Sequence, residues 1–105
     1  MNLFVLPAEK TATELFIPLF KSEKIIIEKI VSWGHKSPEG FWYDQEKDEW
    51  VTVLQGQARL SYANGRVINI GAGDFIFIPA GEKHRVDWTS EDPPCIWLAI
   101  HGHLK

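Results

Sequence analysis

Cysteine is nearly absent from this 105-residue chain. Cys95 stands alone, so no intrachain disulfide can form, and a secreted disulfide scaffold is excluded. Its spacing matches no thiol motif, so a buried, inert thiol is the expected role. Long apolar runs are lacking as well. None approaches the ~18 residues of a membrane helix. Leu3-Phe4-Val5-Leu6, followed at once by Pro7 and Glu9, is too short for the apolar core of a signal peptide. The expectation is a soluble protein of a reducing compartment, the cytoplasm, with no membrane partner. A basic excess is missing too. Eleven basic residues against fourteen acidic ones give −3 and an isoelectric point near 5.7. A nucleic-acid partner is not expected, because binding one needs a basic patch to displace counterions from phosphates. There are no repeats, linkers or low-complexity tracts.

What is present is an ordinary globular balance, with 45% hydrophobic and 24% charged residues, in a chain the size of one domain. The whole of 1–105 therefore reads as one unit, an arm and short helix over 1–23 and a barrel over 24–105. The unusual feature is aromatic: five tryptophans, six phenylalanines and two tyrosines. Tryptophan is bulky and half-polar, and it lines pockets and interfaces more readily than it fills a small core.

Thr11-Ala12-Thr13-Glu14 has the pattern of a helix capping box, with Leu15, Phe16, Leu19 and Phe20 as an apolar stripe behind it. Pro18 makes that helix short or kinked. From Lys24 onward Ile and Val outnumber Leu and Met, Gly and Pro punctuate, and no 3.6-residue period appears. Strands are predicted at 25–33, 41–44, 49–54, 58–62, 66–70, 74–78, 84–88 and 96–101. Asn64-Gly65 signals a hairpin, because a type I′ turn needs positive φ. Short strands at this spacing in so small a chain predict a closed or sandwiched all-β architecture.

Strand parity singles out two residues. In Glu49-Trp50-Val51-Thr52-Val53, Glu49 shares its face with two valines and Trp50 points away. In His84-Arg85-Val86-Asp87-Trp88, His84 shares its face with Val86 and Trp88. A carboxylate and an imidazole on apolar faces need partners, because an unpaired buried charge is costly. They pair with each other, or something positive sits between them. His101 shares a face with Trp97 and Ala99 and could reach the same interior, whereas His35 and His103 read as solvated.

The spacing around these residues resembles the cupin family. Gly73, five residues, then Pro79-Ala80-Gly81-Glu82-Lys83-His84 is similar to the second cupin motif, and Glu49, seven positions before Gly56, matches the glutamate of the first. Gly40-Phe41-Trp42-Tyr43-Asp44-Gln45, followed by Asp48-Glu49-Trp50, resembles small single-domain bacterial cupins of the cupin 2 conserved-barrel type. The resemblance implies an all-β, double-stranded β-helix or jelly-roll barrel, here with one short N-terminal helix. It also implies a homodimer paired through its sheets. Cupins typically hold a divalent metal through a His-x-His pair, the motif glutamate and the second-motif histidine. Here that pair falls on Tyr43 and Gln45, or one residue off on Trp42 and Asp44, and neither register supplies a histidine. The implied metal set is Gln45, Glu49 and His84, holding Fe, Mn, Zn or Ni, with Asp44 the alternative to Gln45. Tyr43, Trp88, Trp97 and His101 are the candidate ligand-pocket residues. Two functions follow from the resemblance: a metal-dependent enzyme on a small organic molecule (oxygenase, isomerase or decarboxylase), or a metal-free, non-catalytic small-molecule binding or sensing cupin.

Overall fold

The computed structural model describes residues 2–104. Eight strands follow one another: β1 (Leu15–Lys21), β2 (Ile25–Ser32), β3 (Asp48–Gln55), β4 (Gln57–Tyr62), β5 (Val67–Gly71), β6 (Phe75–Ile78), β7 (His84–Thr89) and β8 (Cys95–Gly102). They form two antiparallel sheets. One has the order β1-β2-β8-β3-β6 and the other the order β5-β4-β7, the topology of a small jelly-roll barrel. Alternating inward side chains from both sheets, among them Ile30, Val53, Leu60, Ile70, Trp97 and Ala99, fill the space between them.

The predicted helix is a strand. Residues 15–21 form β1, an edge of the larger sheet, paired antiparallel with β2. Pro18, which would kink a helix, is tolerated here because it lies where the pairing shifts between Pro18 and Phe20 on an edge strand. Of the capping-box residues, Thr11 bonds locally and Glu14 is held by the barrel. The Thr11 hydroxyl donates to the Thr13 carbonyl, and Ser32 donates to the Glu14 carboxylate. Lys29 of β2 donates to the Val5 carbonyl, and His35 Nε2 lies 3.1 Å from the Ala12 carbonyl, so the N-terminal arm is tied to the barrel. His35 is thus an anchor rather than a solvated side chain, with its Nδ1 accepting from the Trp33 N–H at 2.9 Å.

Residues 41–44 make no regular strand. A single bridge joins Tyr43 to His84 through two backbone hydrogen bonds of 2.7 and 3.1 Å. The Asn64-Gly65 hairpin forms between β4 and β5, but not as type I′. Only Gly65 has positive φ (+93°), and Tyr62 N donates to the Arg66 carbonyl around a three-residue loop. Gly56, at φ +84°, makes the tight link from β3 to β4 directly against Ser90 and Pro94. Cys95 is fully buried as expected, and burial pushes its thiol pKa up to about 12.

Candidate functional site

The site is built where β2, β8 and β3 lie side by side facing β7. Cross-strand pairing sets Glu49 directly opposite His101, and Glu28 opposite Ala99, two residues from His101 on the same strand. Glu28, Glu49 and His101 therefore project inward from three neighbouring strands. His84, the first residue of β7, closes the group from the other sheet. These side chains line a cavity of about 80 Å3, whose walls include Tyr43, Gln45, Trp97 and, from the N-terminal strand, Phe16. By the measure in which one water needs about 10–15 Å3, the cavity admits a small molecule of several heavy atoms.

Its centre is Glu49. The side chain is nine-tenths buried, and the two imidazoles flank it, with His84 Nε2 3.8 Å from one carboxylate oxygen and His101 Nε2 3.7 Å from the other. Both contacts lie beyond hydrogen-bond length. No buried polar side-chain atom among the described residues lacks a hydrogen bond, so the Glu49 oxygens, which make none, are open to the cavity. Burial raises the Glu49 pKa, although His101 and His84 both oppose the rise. His101 is held differently. Its Nε2 lies 3.0 Å from Glu28 Oε1, and this hydrogen bond raises its pKa against the opposing effect of burial, with help from the Glu49 charge. His101 thus favours the imidazolium form and links two carboxyl groups.

His84 is oriented by the turn that leads into its strand. Nδ1 donates to the Glu82 carbonyl at 2.9 Å, so in the neutral ring Nε2 carries the lone pair and faces Glu49. The Tyr43 ring stacks on His84, with centroids 5.4 Å apart and planes at 22°, and the Tyr62 ring lies tilted at 6.4 Å. Burial raises the Tyr43 pKa, which keeps the phenol a hydrogen-bond donor. Trp97 lines the cavity and turns its indole N–H to Ser32 Oγ at 3.2 Å, the same hydroxyl that donates to Glu14.

Six of the residues singled out from sequence meet in this cavity: Tyr43, Gln45, Glu49, His84, Trp97 and His101. Gln45 is half-buried against it, while Asp44 is exposed. Trp88 does not join them. A bulge in β7 accounts for this: Leu60 pairs with Val86 but Arg59 pairs with Trp88, so Asp87 is an extra residue and parity reverses after it. Trp88 turns outward, 47% exposed, and Thr89 turns in. Trp50 packs on Phe75 across the outer face at 5.7 Å. Glu28 and Glu14 also line the cavity and were not anticipated. Glu28 carried the signal that marked Glu49, a charge sharing its strand face with Ile26 and Ile30, whereas Glu14 was obscured by the capping-box pattern.

The model of the family described as Cupin domain matches residues 34–101, more than half of the chain. The chain is a cupin. A crystal structure from Ralstonia eutropha JMP134, named as a putative mannose-6-phosphate isomerase, is 39% identical. The match covers 97% of this chain and 95% of that one at a TM-score of 0.92. A cupin superfamily protein from Desulfitobacterium hafniense DCB-2 is 18% identical, with 91% and 83% covered and a TM-score of 0.76. A polyketide cyclase from Streptomyces resistomycificus is 22% identical, with 88% and 66% covered and a TM-score of 0.72. The last two share the fold alone. Comparison with curated proteins finds no match.

Membership in the cupins raises the question of a resident divalent ion. Among the described residues no group of three or more His, Cys, Asp or Glu side chains is placed to hold one. The geometry explains why. His101 Nε2 is held by Glu28 and Glu14 accepts from Ser32, which leaves the Glu49 oxygens and His84 Nε2 unbonded at the cavity, with the Gln45 amide as a weak third donor. The donors in this arrangement do not fit a resident metal, and the imidazolium of His101 supplies the positive charge beside Glu49.

Proposed function

We propose that this cupin binds a small organic molecule in the barrel cavity and exchanges protons with it through Glu49, without a resident metal. The observation that supports the reading is the Glu49 carboxyl, nine-tenths buried, open to the cavity and 3.7–3.8 Å from two imidazole nitrogens. A carboxyl whose pKa burial raises, beside an imidazole whose pKa a second carboxylate raises, is a pair suited to holding and passing a proton. Glu49 would exchange the proton, His101 would replenish it with Glu28 behind it, and Tyr43 and Gln45 would orient the bound molecule.

One observation favours the metal-dependent alternative on Gln45, Glu49 and His84. His84 donates its Nδ1–H to a backbone carbonyl and turns Nε2 inward, as metal-ligating histidines do. Metal analysis of protein purified without chelators or a His tag separates the two. Metal-free protein that takes up no Fe, Mn, Zn or Ni, yet shows ligand-induced NMR shifts at His84 and His101, supports proton exchange. Stoichiometric metal, lost in a folded His84→Ala variant, overturns it.

The name of the 39% identical protein suggests phosphosugar isomerisation, but no lysine or arginine among the described residues lines the cavity to neutralise a phosphate. For the assembly, the proposal is a homodimer through the outer face of the five-stranded sheet, where Trp50, Phe75 and Phe77 form an apolar patch. Sedimentation of Phe75→Glu at micromolar concentration should show a lighter species than wild type. The proposed compartment is the cytoplasm.

A further inference from the structure

The groups that face the cavity differ in what they ask of a ligand. Glu49 presents two acceptor oxygens with no hydrogen bond, and His84 turns Nε2 toward them 3.8 Å away, the nitrogen that carries the lone pair in a neutral ring because Nδ1–H is held by the Glu82 carbonyl. Two acceptors stand side by side with no donor between them. Glu28 and Glu14 add further carboxyl groups to the wall, and the one ring disposed to carry positive charge, His101, is already paired with Glu28 at 3.0 Å. Neither lysine nor arginine lines the cavity among the described residues. Aromatic surface completes it: the Tyr43 ring lies against His84, and Phe16 and Trp97 form part of the wall.

We infer that the cavity is selective for a small primary ammonium ion, whose N–H groups bond the Glu49 carboxylate and His84 Nε2 while its carbon chain rests on the aromatic wall. This inference depends on the reading of the cavity as a small-molecule site and adds the class of molecule. A primary ammonium carries three donors and no acceptor, the complement of two bare acceptors. Its charge offsets that of a carboxylate which burial alone disfavours, and aromatic faces attract cations. The volume of about 80 Å3 suits a short carbon chain. Carboxylates and phosphate esters meet the carboxyl groups of Glu49, Glu28 and Glu14, and the one positive charge at the wall, on His101, is already paired with Glu28; a neutral alcohol supplies one donor where two are wanted.

The test uses n-propylammonium, n-propanol and propionate, matched in size, titrated into the purified protein and followed by the ring resonances of His84 and His101. Propylammonium should bind about tenfold or more tightly than propanol, the scale of one charge-assisted hydrogen bond, and propionate should not bind. The Glu49→Gln variant, shown to be folded by circular dichroism, should lose that preference while still admitting propanol. Propionate binding as tightly as propylammonium, or an unchanged preference in Glu49→Gln, overturns the ammonium assignment. Propanol binding without propylammonium binding also overturns it but leaves the small-molecule reading intact. If none of the three moves either histidine, both readings fall.

Discussion

Replacing Glu49 by glutamine should stabilise the protein, and by an amount that depends on pH. Burial is the largest influence on the Glu49 carboxyl, and it outweighs the two imidazoles that favour the charged form. The folded-state pKa therefore lies above the ordinary value of 4.5. A raised carboxyl pKa means that the fold holds the proton more tightly than the unfolded chain does. Its contribution is fully present below the ordinary value and is lost as pH rises through the folded one. His101 acts in the same direction, from an ordinary value of 6.5 upward. Wild-type stability should thus decline as the solution becomes alkaline. Glutamine keeps the shape of Glu49, carries no charge, and can donate to His84 Nε2. At pH 8 it removes the penalty of a buried charged group without a hydrogen bond, on the order of 1–3 kcal/mol. Each kcal/mol shifts the melting temperature of a domain near this size by about 4 °C or more. At pH 4 the carboxyl is protonated in wild type and the gain should vanish. Urea unfolding of both proteins at pH 4, 6 and 8 gives the comparison directly. A Glu49→Gln variant less stable than wild type at pH 8 would show that the imidazoles over-compensate burial, and the reasoning about the site would be wrong.

Glu28→Gln removes the main influence holding the proton on His101, so the His101 pKa should fall in an NMR titration while the spectrum elsewhere stays native. Leu60→Ala empties a site that is 2% exposed at the centre of the barrel, and should cost about 2–5 kcal/mol in urea unfolding. Gly56→Ala places a methyl 2.5 Å from Ser90 Oγ and 2.9 Å from the Cys95 Cα, at a backbone angle that side chains rarely adopt. A loss of about 1–3 kcal/mol is expected in the melting curve.

Much of this barrel was legible in its β-branched residues and its turns. Seven of the eight strands fall where Ile and Val enrichment and Gly/Pro punctuation put them, and Glu49 and His84 face inward as parity required. The failures share a physical cause. Residues 11–20 carry local helix signals, yet β2 offers Leu15–Lys21 a partner edge, and pairing across the sheet overrides a cap worth ~1 kcal/mol. Trp88 was misplaced because one extra residue in β7 reverses every side chain beyond it, and a bulge leaves no mark in a pattern of alternating residues. Glu28 was readable in principle, as a charge on the apolar face of β2. It emerged only when pairing set β2 beside β8 and gave that charge a partner in His101.

The same pairing gives the site its character. The interior of this cupin carries a carboxyl, an imidazole and a second carboxyl in a row across β2, β8 and β3, and only the outer link is closed by a hydrogen bond. The link to Glu49 stays open at 3.7 Å, on the side that faces the cavity. An ion pair gains most at hydrogen-bond length, since a buried charge left unbonded lowers stability. The barrel instead keeps a deeply buried carboxyl without a bond while satisfying Glu14 through Ser32 and Asp87 through Ser61 and Arg85. Stability is forgone at one residue, at the centre of one cavity, where a bound molecule can recover it.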